Sequence, residues 1–416
     1  MSNRTLTNSI IAKTAVRILE NELGIAKAVY RGYEDEFDKK VNGYDVGDTI
    51  SIRKPTDFIV RDGAVASPQD VVEGKTSITV NKRKGIDFQF TSAQRTLEIG
   101  ELAERVIKPA MVQLANQVDA DVFSLFSSVP QWVGTPGNVV NSYADFAKAP
   151  ENMDERAVPV GDRSAFLSPA DHWGLLGSQT SLYMQDVAKG AYRKGSLGPI
   201  GGVDTFMAQN VPTFTTGTRS GSILMDLAIT TSTITYDAVK DTNDQTIHID
   251  ALGGATQTIK AGEVFTIADV WDVNPVTKAR LPFLKQFVVT ADAVGVGSEC
   301  DLIISPAIIW TGAFKNVDVA AGTTDLNDKA ITFVGTASTG YRQNLAFHKN
   351  AFALVMVPLV RPDGAVDVQR ESYGGVSARM IPYYDGTNDI SNYRLDILYG
   401  VKTVDPRLAL RLSGSA

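Results

Sequence analysis

One cysteine, Cys300, and three histidines, His172, His248 and His348, are all that 416 residues offer toward thiol or imidazole chemistry. That excludes a disulfide framework and any cysteine-rich zinc or iron–sulfur centre. Basic excess is missing as well. Forty lysines and arginines stand against 47 acids, for a net charge of −7, so the chain lacks the overall footprint of a duplex-binding protein. Long apolar runs are also absent. The longest, Ala351–Val360, contains Pro358 and falls well short of the about 18 residues a membrane helix needs. The first two dozen residues carry apolar side chains at helical spacing, with no signal-peptide core or small-residue cleavage site. A soluble protein made in the cytosol is the default expectation.

Catalytic signatures are equally sparse. Glu73-Gly74-Lys75-Thr76 ends like a phosphate-binding loop, but Gln69 stands where the first glycine must be. There is no G-x-G-x-x-G after a strand, no H-E-x-x-H and no G-x-S-x-G. Asp171-His172 is the one pairing of histidine with a neighbouring carboxylate, and it reads as part of a helix rather than a site. His348 reads as a surface or interface histidine, and Cys300 as a buried, inert thiol. Asp241-Thr242-Asn243-Asp244 lacks the glycine and distal glutamate of a calcium loop. The expectation is no catalytic residue, no metal and no cofactor.

What is present is a globular balance, 44% hydrophobic and 21% charged, in a chain long enough for several domains. Residues 8–30 predict an amphipathic helix with Ile11, Ala15, Ile18, Leu19, Leu23 and Ala26 on one face and a break at Gly24. Five bases against two acids, Glu20 and Glu22, make residues 1–31 mildly basic. Thr49–Arg53 and Ser77–Asn81 alternate like strands around a long polar loop, which predicts an extended hairpin. Lys82-Arg83-Lys84 reads as its basic tip. Residues 97–128 carry the strongest helical stripe, with Pro109 inside it; a continuous helix there would span about 48 Å at 1.5 Å per residue, bent near Lys108. Ser168-Pro169-Ala170-Asp171 has the pattern of a capped helix start.

Residues 221–345 are rich in Thr, Val, Ile, Gly and Asp, with strand signals at regular spacing, from Ile229–Tyr236 and Gln245–Ile249 to Ile331–Val334. They predict a small all-β barrel or sandwich inserted in an α+β chain. Strands return after residue 350, closing with the alternation Tyr393, Leu395, Ile397, Tyr399, Val401. A helical arm and a long hairpin have no place for their apolar residues within one compact chain, which points to oligomerisation as the function.

The order of these parts resembles the major capsid proteins of tailed bacteriophages, in the coat-protein group typified by phage P22. The resemblance spans nearly the whole chain. It rests on Ser168-Pro169-Ala170-Asp171, Ala191-Tyr192-Arg193 with Gly195, Gly202-Val203-Asp204 leading to Val211-Pro212, Ala115-Asn116 with Val118, and Ile397-Leu398-Tyr399-Gly400-Val401. It implies an HK97-type α+β capsid fold. The N-terminal arm would be 1–46, the extended loop 47–92 and the spine helix of the peripheral domain 93–130. The axial domain would take 131–220, the inserted β-barrel-like domain 221–345, and the rest of the axial domain with the closing peripheral strands 346–416. Implied partners are further copies in pentamers and hexamers, a scaffolding protein, a portal protein and packaged double-stranded DNA, enclosed without sequence-specific binding; no membrane is involved. No residue pair suggests a covalent crosslink. Arg53, Lys54, Lys82, Arg83 and Lys84 are candidates for subunit contacts, and Glu20 and Glu22 for the scaffold. The other readings are a β-rich tail-associated or adhesin protein, a non-viral shell of the same fold, and an enzyme with a pocket near His172 or His348.

Overall fold

The arm helix, Asn8–Glu22, ends where Gly24 interrupts it, and a short helix, Ile25–Ala28, follows. Its apolar stripe is already covered within the chain. Ile11, Ala12, Ala15, Val16, Leu19 and Leu23 are buried, and the helix packs on strands Gln369–Tyr373 and Val376–Asp385. The expectation that the arm must find a neighbour to bury these residues is therefore corrected. No local signal marks the strands that meet them, because that pairing spans some 350 residues.

The computed structural model describes residues 8–37, 40–41, 44–45, 47–61, 63–66, 68–91, 106–179, 198–227, 229, 234–254, 256–320, 322–362, 364 and 367–415. Two compact units emerge. One comprises Met1–Ile50, Ser77–Val122 and Phe352–Lys402; the other comprises Ser51–Thr76, Phe123–Ala351 and Thr403–Ala416.

In the first unit a five-stranded sheet runs in the order Phe352–Met356, Ile390–Thr403, Val376–Asp385, Gln369–Tyr373, with Lys82–Thr91 also pairing Ile390–Thr403. That last pairing is antiparallel over ten residue pairs, from Tyr399↔Lys82 to Ile390↔Thr91. The predicted alternation holds: Tyr393, Leu395, Ile397 and Tyr399 are buried. Phe88, Phe90 and Tyr393 form an aromatic cluster across the strands, with centroids 5.5–5.9 Å apart. Lys82-Arg83-Lys84 is thus the start of a long strand, not a hairpin tip, a second correction. The helix Lys108–Phe123 has Pro109 in its first turn, where a missing N–H leaves no bond unmade. Ser124–Ser128 continues as a 3₁₀ turn. The predicted stretch before residue 106 lies outside the described residues.

In the second unit, a six-stranded sheet is ordered Trp132–Val133, Ala409–Leu412, Asn344–His348, Arg163–Leu167, Val203–Met207, Pro199–Ile200. Its core gathers Phe146, Leu167, Leu175, Leu410 and Leu412. The helix Pro169–Gln179 starts as predicted: the Ser168 hydroxyl accepts from the Asp171 N–H, and the Asp171 carboxylate accepts from the same hydroxyl and from the Val140 N–H. His348 ends a fully buried strand and is itself buried, which corrects its reading as a surface residue. A seven-stranded sheet takes Leu224–Met225, Gln245–Asp250, Cys300–Ser305, Arg280–Val289, Val264–Val273 and Val317–Val319 in order, with Ile331–Phe333 also on Val264–Val273. Ile247, Ile249, Phe265, Phe287, Leu302 and Ile304 fill its core, and Cys300 is buried beside them. Tyr236–Val239, at the end of a predicted strand, is instead a helical turn.

Candidate assembly surfaces

The hairpin strands Thr49–Arg53 and Lys75–Thr79 pair with each other alone among the described residues. Past them, the loop exposes a run of apolar side chains. Phe58, Ile59, Val65 and Val71 are about half exposed or more, and Val60 is 94% exposed. The loop is shaped nonetheless. The Gln69 amide donates to the Ile59 carbonyl at 2.6 Å and accepts from the Ile59 N–H at 2.9 Å, bridging the two sides as a strand would. The Arg61 guanidinium donates to the Val65 carbonyl at 3.0 Å. An ordered, solvated apolar strip is what a protein interface requires and what a monomer avoids. Sequence reasoning named only the basic residues of this region; the signal it passed over was Phe58-Ile59-Val60 inside an otherwise polar loop.

The five basic candidates fall into two groups. Lys54, Lys82 and Arg83 are engaged within their own units. Lys54 donates to the carbonyls of Lys240 and Asp241. Lys82 pairs with Asp121 at 3.2 Å, and Arg83 with Asp396 at 2.7 Å. Arg53 is 84% exposed at its side chain and meets Glu73 at 3.2 Å, a pair loose enough to exchange partners. Lys84 makes no ion pair among the described residues. Of the scaffold candidates, Glu20 is partly buried and faces Lys27 at 3.7 Å, whereas Glu22 is exposed.

Asp396 is the hub of the first unit. It is buried, and Arg83, Arg379 and Arg394 all donate to it at 2.7–3.0 Å. Burial alone would raise its pKa, but the three guanidinium groups outweigh that and hold it below the usual carboxylate value. Gly85 lies opposite on the neighbouring strand, where a Cβ would come within 2.5 Å of the carboxylate. Truncating Lys82 to alanine is expected to cost the monomer no more than about 1 kcal/mol, since its pair with Asp121 is partly exposed. Chemical denaturation of the unassembled chain checks this.

Asp119 does different work. Its carboxylate accepts the N–H groups of Gly24 at 2.8 Å and Ala26 at 3.1 Å, holding the break that follows the arm helix. Burial pushes its pKa up to about 6, even though these two hydrogen bonds and Lys27 act the other way. A carboxylate whose folded pKa lies above its unfolded value of 3.8 binds its proton more tightly in the folded state. The resulting stabilisation is complete below about pH 4 and is lost as pH rises through about 6. Asp119→Asn is expected to flatten that part of the stability–pH curve; a curve identical to wild type between pH 4 and 7 would count against this assignment. Asp119 and Asp121 lie two apart on one helix, so they do not share a face. They in fact serve the arm on one side and the Tyr399 hydroxyl, at 2.5 Å, on the other.

The second unit is cross-braced by buried ions. Asp272, 1% exposed, accepts from Arg156 at 2.8–2.9 Å and from Lys285 at 2.7 Å, and Arg156 stacks on Phe283. Glu263 binds Arg219 and the N–H groups of Gly217 and Lys260. Arg411 is wholly buried between Phe126 and Trp132, and burial lowers its pKa to about 9. None of these clusters opens on a cleft with a nucleophile and a base, and no metal-binding group of side chains exists among the described residues. No described helix is long and apolar enough to cross a membrane.

A model of the P22 coat protein family, gene protein 5, matches residues 1–414. The chain belongs to the P22 coat protein family. It is a major capsid protein of the tailed-phage type, with the mixed α+β architecture that the resemblance implied. It self-assembles into the icosahedral shell, and its place is the capsid of the virion. Solved structures give fainter likenesses. A chain from Mycobacterium phage Che8 is 14% identical over 94% of this chain and 90% of its own, with a TM-score of 0.48. The capsid structure of cyanophage P-SCSP1u is 10% identical over 89% and 85%, with a TM-score of 0.41. A virus-like particle from Pyrococcus furiosus is 9% identical over 97% of each chain, with a TM-score of 0.35. No curated protein sequence matches this coat protein.

Proposed function

We propose that this coat protein forms pentamers and hexamers of an icosahedral procapsid, assembled around a scaffolding protein with a portal protein at one vertex. The shell then expands and encloses double-stranded DNA without sequence-specific binding. The observation that carries this reading is the whole-chain family match over residues 1–414. The domain plan goes with it. The arm takes 1–46, the extended loop 47–92, the spine 93–130, the axial domain 131–220 and 346–416 with the closing peripheral strands, and the inserted β domain 221–345. The chain acts as a structural protein without catalytic residues.

The exposed apolar strip of the extended loop supports its lying on a neighbouring copy, with Arg53 and Lys84 as the basic contacts still open to an acidic partner. A net charge of −7 supports a lining to which packaged DNA is not pinned, since phosphate binding grows with the number of lysine and arginine contacts. Glu22, with Glu20 beside it on the arm, is the proposed scaffold contact.

Co-expression of the coat protein with its scaffolding protein tests the partner assignment. Uniform closed procapsids containing both are expected, and Glu20→Lys with Glu22→Lys is expected to leave the scaffold out. Unchanged scaffold incorporation by the double variant would remove the arm from this role.

A further inference from the structure

The root of the loop that joins the two hairpin strands is gripped by segments that lie far away in sequence. On the outgoing side, the Lys54 ammonium donates to the carbonyls of Lys240 at 3.3 Å and Asp241 at 2.9 Å, and Lys278 donates to the Asp57 carboxylate at 3.1 Å. On the returning side, the Lys75 N–H donates to the Asp241 carboxylate at 2.9 Å. Gly74 passes so close that a Cβ there would lie 2.3 Å from the Lys240 carbonyl oxygen and 3.0 Å from the Tyr236 hydroxyl. Glycine at this position is what the approach demands, and this explains a residue that in sequence only imitated a phosphate-binding loop. The turn at Lys240 and Asp241 is itself braced, with Tyr236 stacked on Phe314 at 3.5 Å and 8°.

The two hairpin strands pair with each other, so the grip on the loop root is not needed to complete their hydrogen bonding. Its effect is to fix a direction. A loop held on both sides, up to Asp57 just before the exposed strip Phe58-Ile59-Val60, presents that strip at a set angle. We propose that Lys54, Gly74 and Asp241, with Lys278 and Asp57, are positioning residues that aim the hairpin and thereby set the angle between adjacent subunits, and with it the diameter of the shell. This rests on the reading of the hairpin as an assembly element. Free rotation at the root would let neighbouring copies meet at several angles, and a shell closes at one size only when that angle is narrow.

Two variants test the inference. Lys54→Met with Lys278→Met removes both ammonium contacts while keeping the apolar stems; Gly74→Ala pushes the returning strand off the turn. Hydrogen exchange on the unassembled chain is expected to speed up by roughly tenfold at the Lys75 amide and its neighbours in either variant. Cryo-electron microscopy of assembled particles is expected to show several diameters or open spirals where wild type gives one closed size. Faster exchange with an unchanged single diameter would overturn the inference, as would unchanged exchange in both variants. Wild-type protein that forms no shells would instead remove the assembly reading beneath it.

Discussion

Asp272→Ala is expected to cost about 3–5 kcal/mol of folding stability, because it strands two buried cations. Arg156 and Lys285 both donate to this carboxylate from positions less than a tenth exposed, and among the described residues no other carboxylate bonds to either. Burial disfavours the charged carboxylate, but Lys285 and Arg156 outweigh it and hold its pKa below the ordinary value of 3.8. A depressed carboxylate contributes stability above its unfolded pKa and loses it as pH falls through the lower folded value. The triad should therefore be intact at neutral pH and fail below about pH 4, the opposite sign to Asp119. For a chain of 416 residues, thermal unfolding at pH 7 should show a midpoint roughly 3–6 °C below wild type. Replacing all three members together, Arg156→Met, Asp272→Leu and Lys285→Met, should recover most of the loss, since removing the whole ion cluster leaves no charge unpaired. A single Asp272→Ala variant as stable as wild type would show that water or another group already compensates the cations.

Phe58→Ser, Ile59→Ser and Val60→Ser together should have the reverse profile. These side chains are exposed in the single chain, so monomer stability should move by no more than about 0.5 kcal/mol per site. Assembly should suffer heavily. Full burial of one such side chain is worth about 1.5–3 kcal/mol, so even half of that at three sites gives about 2–4 kcal/mol per subunit. At about 1.4 kcal/mol per factor of ten, the concentration needed for shells should rise roughly 30- to 1000-fold. Light scattering across a dilution series measures it. Shells forming at the wild-type concentration would show that the strip faces solvent in the assembly as well.

Local pattern carried much of the fold. The capped start at Ser168, the closing strand from Tyr393 and the β-rich run after Gln245 were all legible, because their signals lie within a few residues of one another. What escaped were partners set by topology. Nothing near Leu19 announces the strands at Gln369 and Val376 that bury it, and nothing near Arg83 announces Asp396. Gly74 and Asp241 are separated by more than 160 residues, and each looked like a fragment of a familiar loop until the fold placed them together. The assembly surface was half visible for a related reason. Charge draws attention in sequence, and Lys54, Lys82 and Arg83 turned out to be engaged within their own units. The apolar strip at Phe58 gains its meaning only once it is known to be uncovered.

The most direct test is electron microscopy of the purified full chain, alone and with its scaffolding protein. Capsid assembly predicts closed icosahedral shells, or curved sheets and spirals that become uniform shells once the scaffold is added. A chain that stays monomeric, or stops at a small ring under every condition, would contradict it.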